Sequence, residues 1–60
     1  MTLQKRIELF LKRTHCPPTR LGRLALNDPR FVSDLRKGRQ VGAQTASRVH
    51  AWLDEQGARG

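Results

Sequence analysis

Apolar residues recur along this chain at helical rather than alternating spacing, and they do so in four places. Leu3, Ile7, Phe10 and Leu11 stand at i, i+4, i+7 and i+8 and predict a helix over 3–14, with Thr2 as its N-cap. Lys5, Lys12 and Arg13 lie largely off that stripe, and Leu9 also falls outside it, at the edge of a core or on a contact surface. His15-Cys16-Pro17-Pro18 stops the run, because a residue before proline avoids the helical region. Leu21, Leu24 and Ala25 (i, i+3, i+4) predict a second helix over 19–26. A third is expected over 29–37, with Val32 and Leu35 as its buried stripe and Phe31 flanking them. After a short loop in which Val41 should tuck inward, Ala46, Val49 and Leu53, widened by Trp52, predict a fourth helix over 43–55. Gln44, Ser47, Arg48 and Asp54 should face water, and the tail 56–60, with its two glycines, is expected to fray. The pattern describes one small all-α, four-helix domain over 1–60.

The joint between the second and third helices carries the most specific chemistry. Gly22 has no side chain and lets another helix cross closely, at the steep angle of a helix-turn-helix. The run breaks at Leu26-Asn27-Asp28, where Asn tolerates a left-handed backbone and Asp can accept the first free amides of the next helix. Pro29 would then occupy the first helical position, where its missing N–H does no harm. Gly38 stands where a helix end favours a left-handed residue. Arg30, Ser33, Asp34 and Lys37 remain on the outer side of the third helix. The DNA major groove admits one helix, and side chains of these types can match its base edges.

Charge sharpens that picture. The 60 residues carry a formal net charge of +7, which predicts salt-sensitive attraction to polyanions. Between Thr19 and Arg39 six basic residues stand against two acids, so more than half of the excess sits on the helix pair.

With these features the stretch resembles the lambda-repressor-like helix-turn-helix family, of the Cro/repressor class, over about 35 residues from Thr19 to Leu53. In the family's spacing Leu21, Val32 and Leu35 take buried apolar positions, Gly22 the small position of the first helix, and Gly38 the glycine after the recognition helix. Leu26 stands where the family usually has glycine, and Pro29 where a base-contacting side chain is common. The resemblance implies a small bacterial or phage-type transcriptional regulator that binds double-stranded DNA sequence-specifically. It points to Arg30 and Asp34 for base edges, with Ser33 and Lys37 on the same face. Arg30 and Asp34 are also four apart and can instead form an ion pair within the helix. For phosphates the expectation is Thr19 and the amides at the start of the second helix, with Arg20 and Arg23 outside it and Arg36 and Arg39 at the exit of the third. About five such contacts would give log K against log salt a slope of roughly −4 to −5 per copy.

The family usually binds as dimers, which leaves three arrangements open here: pairing through helix 43–55, meeting only on DNA, or binding a second protein. Trp52 either caps the core or, with Leu53, forms a homodimer contact. A different class of function is an adaptor or antitoxin-like module that turns the same fold to protein binding. RNA binding would need exposed aromatic platforms, and Phe10, Phe31 and Trp52 all lie on apolar stripes.

The remaining residues narrow the field by what they lack. Five acids, one cysteine and two separated histidines form no constellation for catalysis and fit no common zinc spacing, so no enzyme activity, metal, cofactor or small-molecule ligand is expected. Cys16 is expected as a small buried or half-buried hydrophobe, and His15 as a helix C-terminal residue. The first helix is basic and amphipathic enough to lie on a membrane, but the helices after it can cover its stripe. With no leader or spanning segment evident, a reducing cytoplasmic setting, on the nucleoid when bound, fits these features.

Overall fold

The computed structural model describes residues 2–59. Within them the chain forms α1 (Leu3–Thr14), α2 (Pro18–Leu26), α3 (Phe31–Arg36) and α4 (Ala43–Arg59). α2 packs on both α3 and α4, and α1 closes the bundle against α4. The Cα radius of gyration is 10.5 Å, about the value a folded chain of this length should have. Among the described residues, no helix is long and apolar enough to cross a membrane.

The predicted stripes of α1 and α4 meet at the centre. Ile7 and Leu11 from α1, Leu21 from α2, Phe31 and Val32 from α3, and Val49 and Leu53 from α4 form the buried core. Leu3, Phe10, Cys16, Ala25, Leu35, Val41 and Trp52 pack half-buried around it. α1 begins where expected, with the Thr2 hydroxyl accepting from the Lys5 amide at 3.2 Å. It ends at His15, whose φ of 56° is left-handed. An arginine clip joins α1 to α4: Arg6 donates to the His50 Nδ1 at 2.8 Å and to the Asp54 carboxylate one turn later. Arginine only donates, so the His50 Nδ1 is the acceptor of this bond.

Four expectations need correction. Leu24 is 55% exposed and does not belong to the core. The buried arc of α2 runs through Leu21, Gly22, Ala25 and Leu26 because α3 crosses at Gly22. At about 100° per residue, Leu24 lies on the far side of Leu21 from that arc. Phe31 does not flank the stripe of α3 but is its deepest residue, fully buried, while Leu35 is half-buried. α4 continues to Arg59, beyond the expected end at 55, and Gly60 lies outside the described residues.

The fourth correction concerns the start of α3, which lies two residues later than expected. Pro29 is in a turn instead of the first helical position. The Phe31 amide closes that turn on the Asp28 carbonyl at 3.1 Å, and the Asp28 carboxylate accepts from the Arg30 amide at 3.1 Å. Asp28 thus accepts a free amide as anticipated, but across a turn that the fixed φ of Pro29 suits well.

Candidate nucleic-acid interface

The geometry of α3 is set by how closely α2 lets it approach. A Cβ on Gly22 would lie 2.2 Å from the Asp28 carbonyl oxygen and 3.3 Å from the Phe31 Cβ, so only glycine fits. α2 ends at Asn27, whose φ of 56° is left-handed. The Asn27 and Asp28 amides turn back onto the Arg23 and Gly22 carbonyls at 2.9 and 3.0 Å. These bonds satisfy the end of one helix and aim the next, the work usually given to a glycine at this turn. The exit of α3 is equally well closed. Gly38 has a φ of 105°, the Gly38 amide bonds to the Leu35 carbonyl at 3.1 Å, and the Arg39 amide reaches the Asp34 carbonyl at 3.0 Å. This is the Schellman pattern, and it needs a residue at ease with positive φ.

With Phe31 and Val32 turned into the core, the opposite side of α3 faces water. Arg30, Ser33 and Lys37 are exposed along it, and none of the described acids lies within ion-pair distance of Arg30 or Lys37. On α2, Thr19, Arg20 and Arg23 line one hollow together with Pro29 from the turn. Arg20 and Arg23 likewise have no described acid within reach. Because Pro17 and Pro18 have no N–H, the Thr19 amide is the first donor at the N-terminus of α2. Eight of the nine residues expected at a DNA surface are exposed and Asp34 is half-buried, but three of the nine, Asp34, Arg36 and Arg39, are engaged with their own chain.

Asp34 is half-buried, and its carboxylate pairs with Arg39 at 3.4 Å rather than with Arg30. Arg30 is the N-cap of α3, and the Asp34 amide bonds to its carbonyl at 2.8 Å, yet the side chains of the two do not form the ion pair that this spacing allows. Arg39 also pairs with Asp28 at 3.2 Å, and its guanidinium sits 5.8 Å from the centre of the Phe31 ring. One side chain therefore ties the turn before α3 to the second half of the helix. Arg36 points away toward α1 and grips Glu8 with two hydrogen bonds, both 2.7 Å. That bidentate bond from Arg36 holds the Glu8 carboxyl below the usual glutamate range and raises Arg36 in turn.

Neither pairing was readable from helical spacing. Glu8 and Arg36 are 28 residues apart with no local relation. Arg39 returns to Asp34 only because the left-handed Gly38 folds the chain back, and the glycine was the one available hint. Of the residues expected to make a dimer contact, Leu53 lies in the core at 5% exposure and shows only its edge at the surface. Trp52 is half-buried edge-on against Phe10, with ring centroids 5.3 Å apart, and so caps the core. Compared with protein-family models, curated proteins and solved structures, the chain matches none.

Proposed function

We propose that this chain is a small sequence-specific DNA-binding protein in which α2, the Asn27–Arg30 turn and α3 act as a helix-turn-helix of the lambda-repressor-like kind. The observation that supports this best is a separation of charge. The carboxylates of Asp28, Asp34 and Glu8 are each paired with an arginine, while Arg20 and Arg23 on α2, and Arg30 and Lys37 at the two ends of α3, are exposed with no described acid within ion-pair distance. A helix entering the groove meets two rows of phosphates, and an outward carboxylate there would be repelled.

In this reading α3 enters the major groove. Arg30 addresses the two acceptors of a guanine, and Ser33 and Lys37 follow along the same face. Thr19, Arg20 and Arg23 hold the phosphate row at the start of α2. Asp34 does not read bases in this reading; it lies beside Arg30 and Lys37 but its carboxylate is paired with Arg39. Two copies bind a pseudo-palindrome with half-sites about one helical turn apart, and the protein acts as a bacterial or phage-type transcriptional regulator in the cytoplasm.

The test is fluorescence anisotropy with a labelled random-sequence duplex at low salt, followed by selection of preferred sequences. The reading expects binding that weakens steeply with salt and a selected site in two related halves. If affinity is absent, or stays flat between low and moderate salt, the reading fails and the adaptor function gains its place.

A further inference from the structure

Away from α2 and α3, one surface feature has no role in that reading. A groove runs between α1 and α4, lined entirely by residues of those two helices. Its apolar floor is Leu9, Phe10 and Leu53, and its rim is Arg6, Lys12 and Arg13. Leu9 is 52% exposed although the core is complete without it. Asp54 lies on the wall, but its charge is taken up by Arg6. None of the described acids lies within ion-pair distance of Lys12 or Arg13. Gly57 also borders the groove, and a Cβ added there would meet nothing within 4 Å. The fold does not require glycine at that point, and its absence of side chain leaves the groove open.

We propose that this groove docks an acidic amphipathic helix of a partner protein. The charge of the rim selects the occupant. A second copy would bring another strongly positive surface against Lys12 and Arg13, whereas a helix with carboxylates flanking an apolar stripe complements rim and floor together. The groove follows α1 from Arg6 to Arg13, about 10 Å or two turns. That length seats apolar residues spaced i, i+4 and i+7 on the incoming helix.

The probe is a designed peptide of about 15 residues, long enough for those turns, with leucine at these spacings and glutamate on the remaining faces. It is titrated into the isotope-labelled full chain and followed by chemical shift. Saturable binding with the largest shifts at Leu9, Phe10 and Gly57 is expected. Leu9→Gln, at an exposed position that leaves the core intact, should weaken the peptide about tenfold, the effect of losing one buried apolar side chain. Lys12→Gln with Arg13→Gln should weaken it by a similar factor and flatten its salt dependence. Both variants should keep their helical circular dichroism and bind duplex DNA within about twofold of the parent, with the double variant slightly the weaker. The proposal is overturned by no saturation at about 1 mM peptide. Shifts centred on Arg30 and Lys37, or equal binding of a peptide with the same composition in scrambled order, also overturn it. So do equal binding of anionic lipid vesicles and a Leu9→Gln variant that binds as well as the parent. None of these outcomes bears on DNA affinity, so this inference and the DNA-binding reading stand or fall separately.

Discussion

The two ends of α3 are held by different physics. Its entry is fixed by backbone shape: Gly22 admits the Asp28 carbonyl into direct contact, and Phe31 locks behind it. Its exit, closed at the backbone by Gly38, is tied to the rest of the fold by exposed charged side chains, Arg36 on Glu8 and Arg39 on Asp34 and Asp28. Close packing is indifferent to salt and pH, whereas exposed ion pairs are weakened by both. The entry can therefore leave Arg30 free for a ligand, since no side chain of Arg30 is needed to hold the helix. The exit arginines must choose between the protein and a phosphate. This difference separates a rigid end from an adaptable one, and each end can be tested against the other.

The largest effect is expected at Gly22. In an ordinary helix Gly→Ala stabilises by roughly 0.5–1 kcal/mol, because alanine loses less backbone entropy. At Gly22 the new methyl would collide with a backbone carbonyl, which cannot swing aside as a side-chain tip would. The clash term of about 2–4 kcal/mol outweighs the propensity gain, so Gly22→Ala should destabilise strongly. For a domain of this size that consumes much of the total stability. Gly57→Ala supplies the control: it meets nothing, and should be neutral or stabilising. Chemical denaturation of the two variants side by side decides it, and a Gly22→Ala protein as stable as the parent would mean that the entry is not packed as described.

Next in size is the contrast between Arg30 and Arg36 in DNA affinity. Arg30→Ala should cost about 1–3 kcal/mol of binding at its preferred base pair and relax specificity there, as loss of a bidentate base contact does. Arg36→Ala should change affinity little, because in the parent Arg36 is held by Glu8 of α1. Anisotropy titrations against a selected site and a single-base variant of it measure both. Equal losses for the two substitutions would erase the distinction between the ends.

How far the chain could be read in advance follows the same division. Gly22, Asn27 and Gly38 announced the path of the backbone because each meets a local need, a close approach or a positive φ, that few residues satisfy. The stripes of α1 and α4 were legible for a similar reason: a repeat of 3.6 residues leaves one face to bury. Leu24 misled because three apolar residues on a short helix define a broad arc, and the direction of burial within it was set by where α3 crosses. The state of Arg36, Arg39 and Asp34 was not legible at all. Those pairings depend on which surfaces meet in three dimensions, and a charge on an exposed helix face looks the same whether or not it finds a partner.

The salt dependence of DNA binding refines the comparison further. If the four arginines expected on phosphates all engage beside the uncharged Thr19, the slope of log K against log salt is about −3.6 per copy. If Arg36 and Arg39 keep their internal partners, two charged contacts remain and the slope is about −1.8. Equilibrium titrations over a series of salt concentrations distinguish the two values. Glu8→Gln then supplies the lever, because it frees Arg36 without removing it: the slope should steepen by about 1 if that arginine can reach DNA. An unchanged slope would assign Arg36 to the fold alone.

The smallest effect, and the one that isolates the exit of α3 most cleanly, lies in the acid limb of stability. Glu8 has its folded-state carboxyl held below the ordinary glutamate range, first by the hydrogen bonds from Arg36 and further by its charge. A depressed carboxyl contributes stability above its unfolded value, near 4.3, and that contribution fades as pH falls through the lower folded value. Parent protein and Glu8→Gln should therefore diverge modestly at neutral pH and converge in strong acid, because there both carry an uncharged side chain. The pair is exposed, so added salt should shrink even the neutral-pH difference. The Gly22 contact contains no titrating group, and the penalty of Gly22→Ala should persist across the same range. Thermal midpoints of the three proteins from pH 7 to pH 2, at low and at high salt, give both curves. A Glu8→Gln difference that survives unchanged into strong acid would show the exit held by packing after all, and the two ends of α3 would no longer differ in kind.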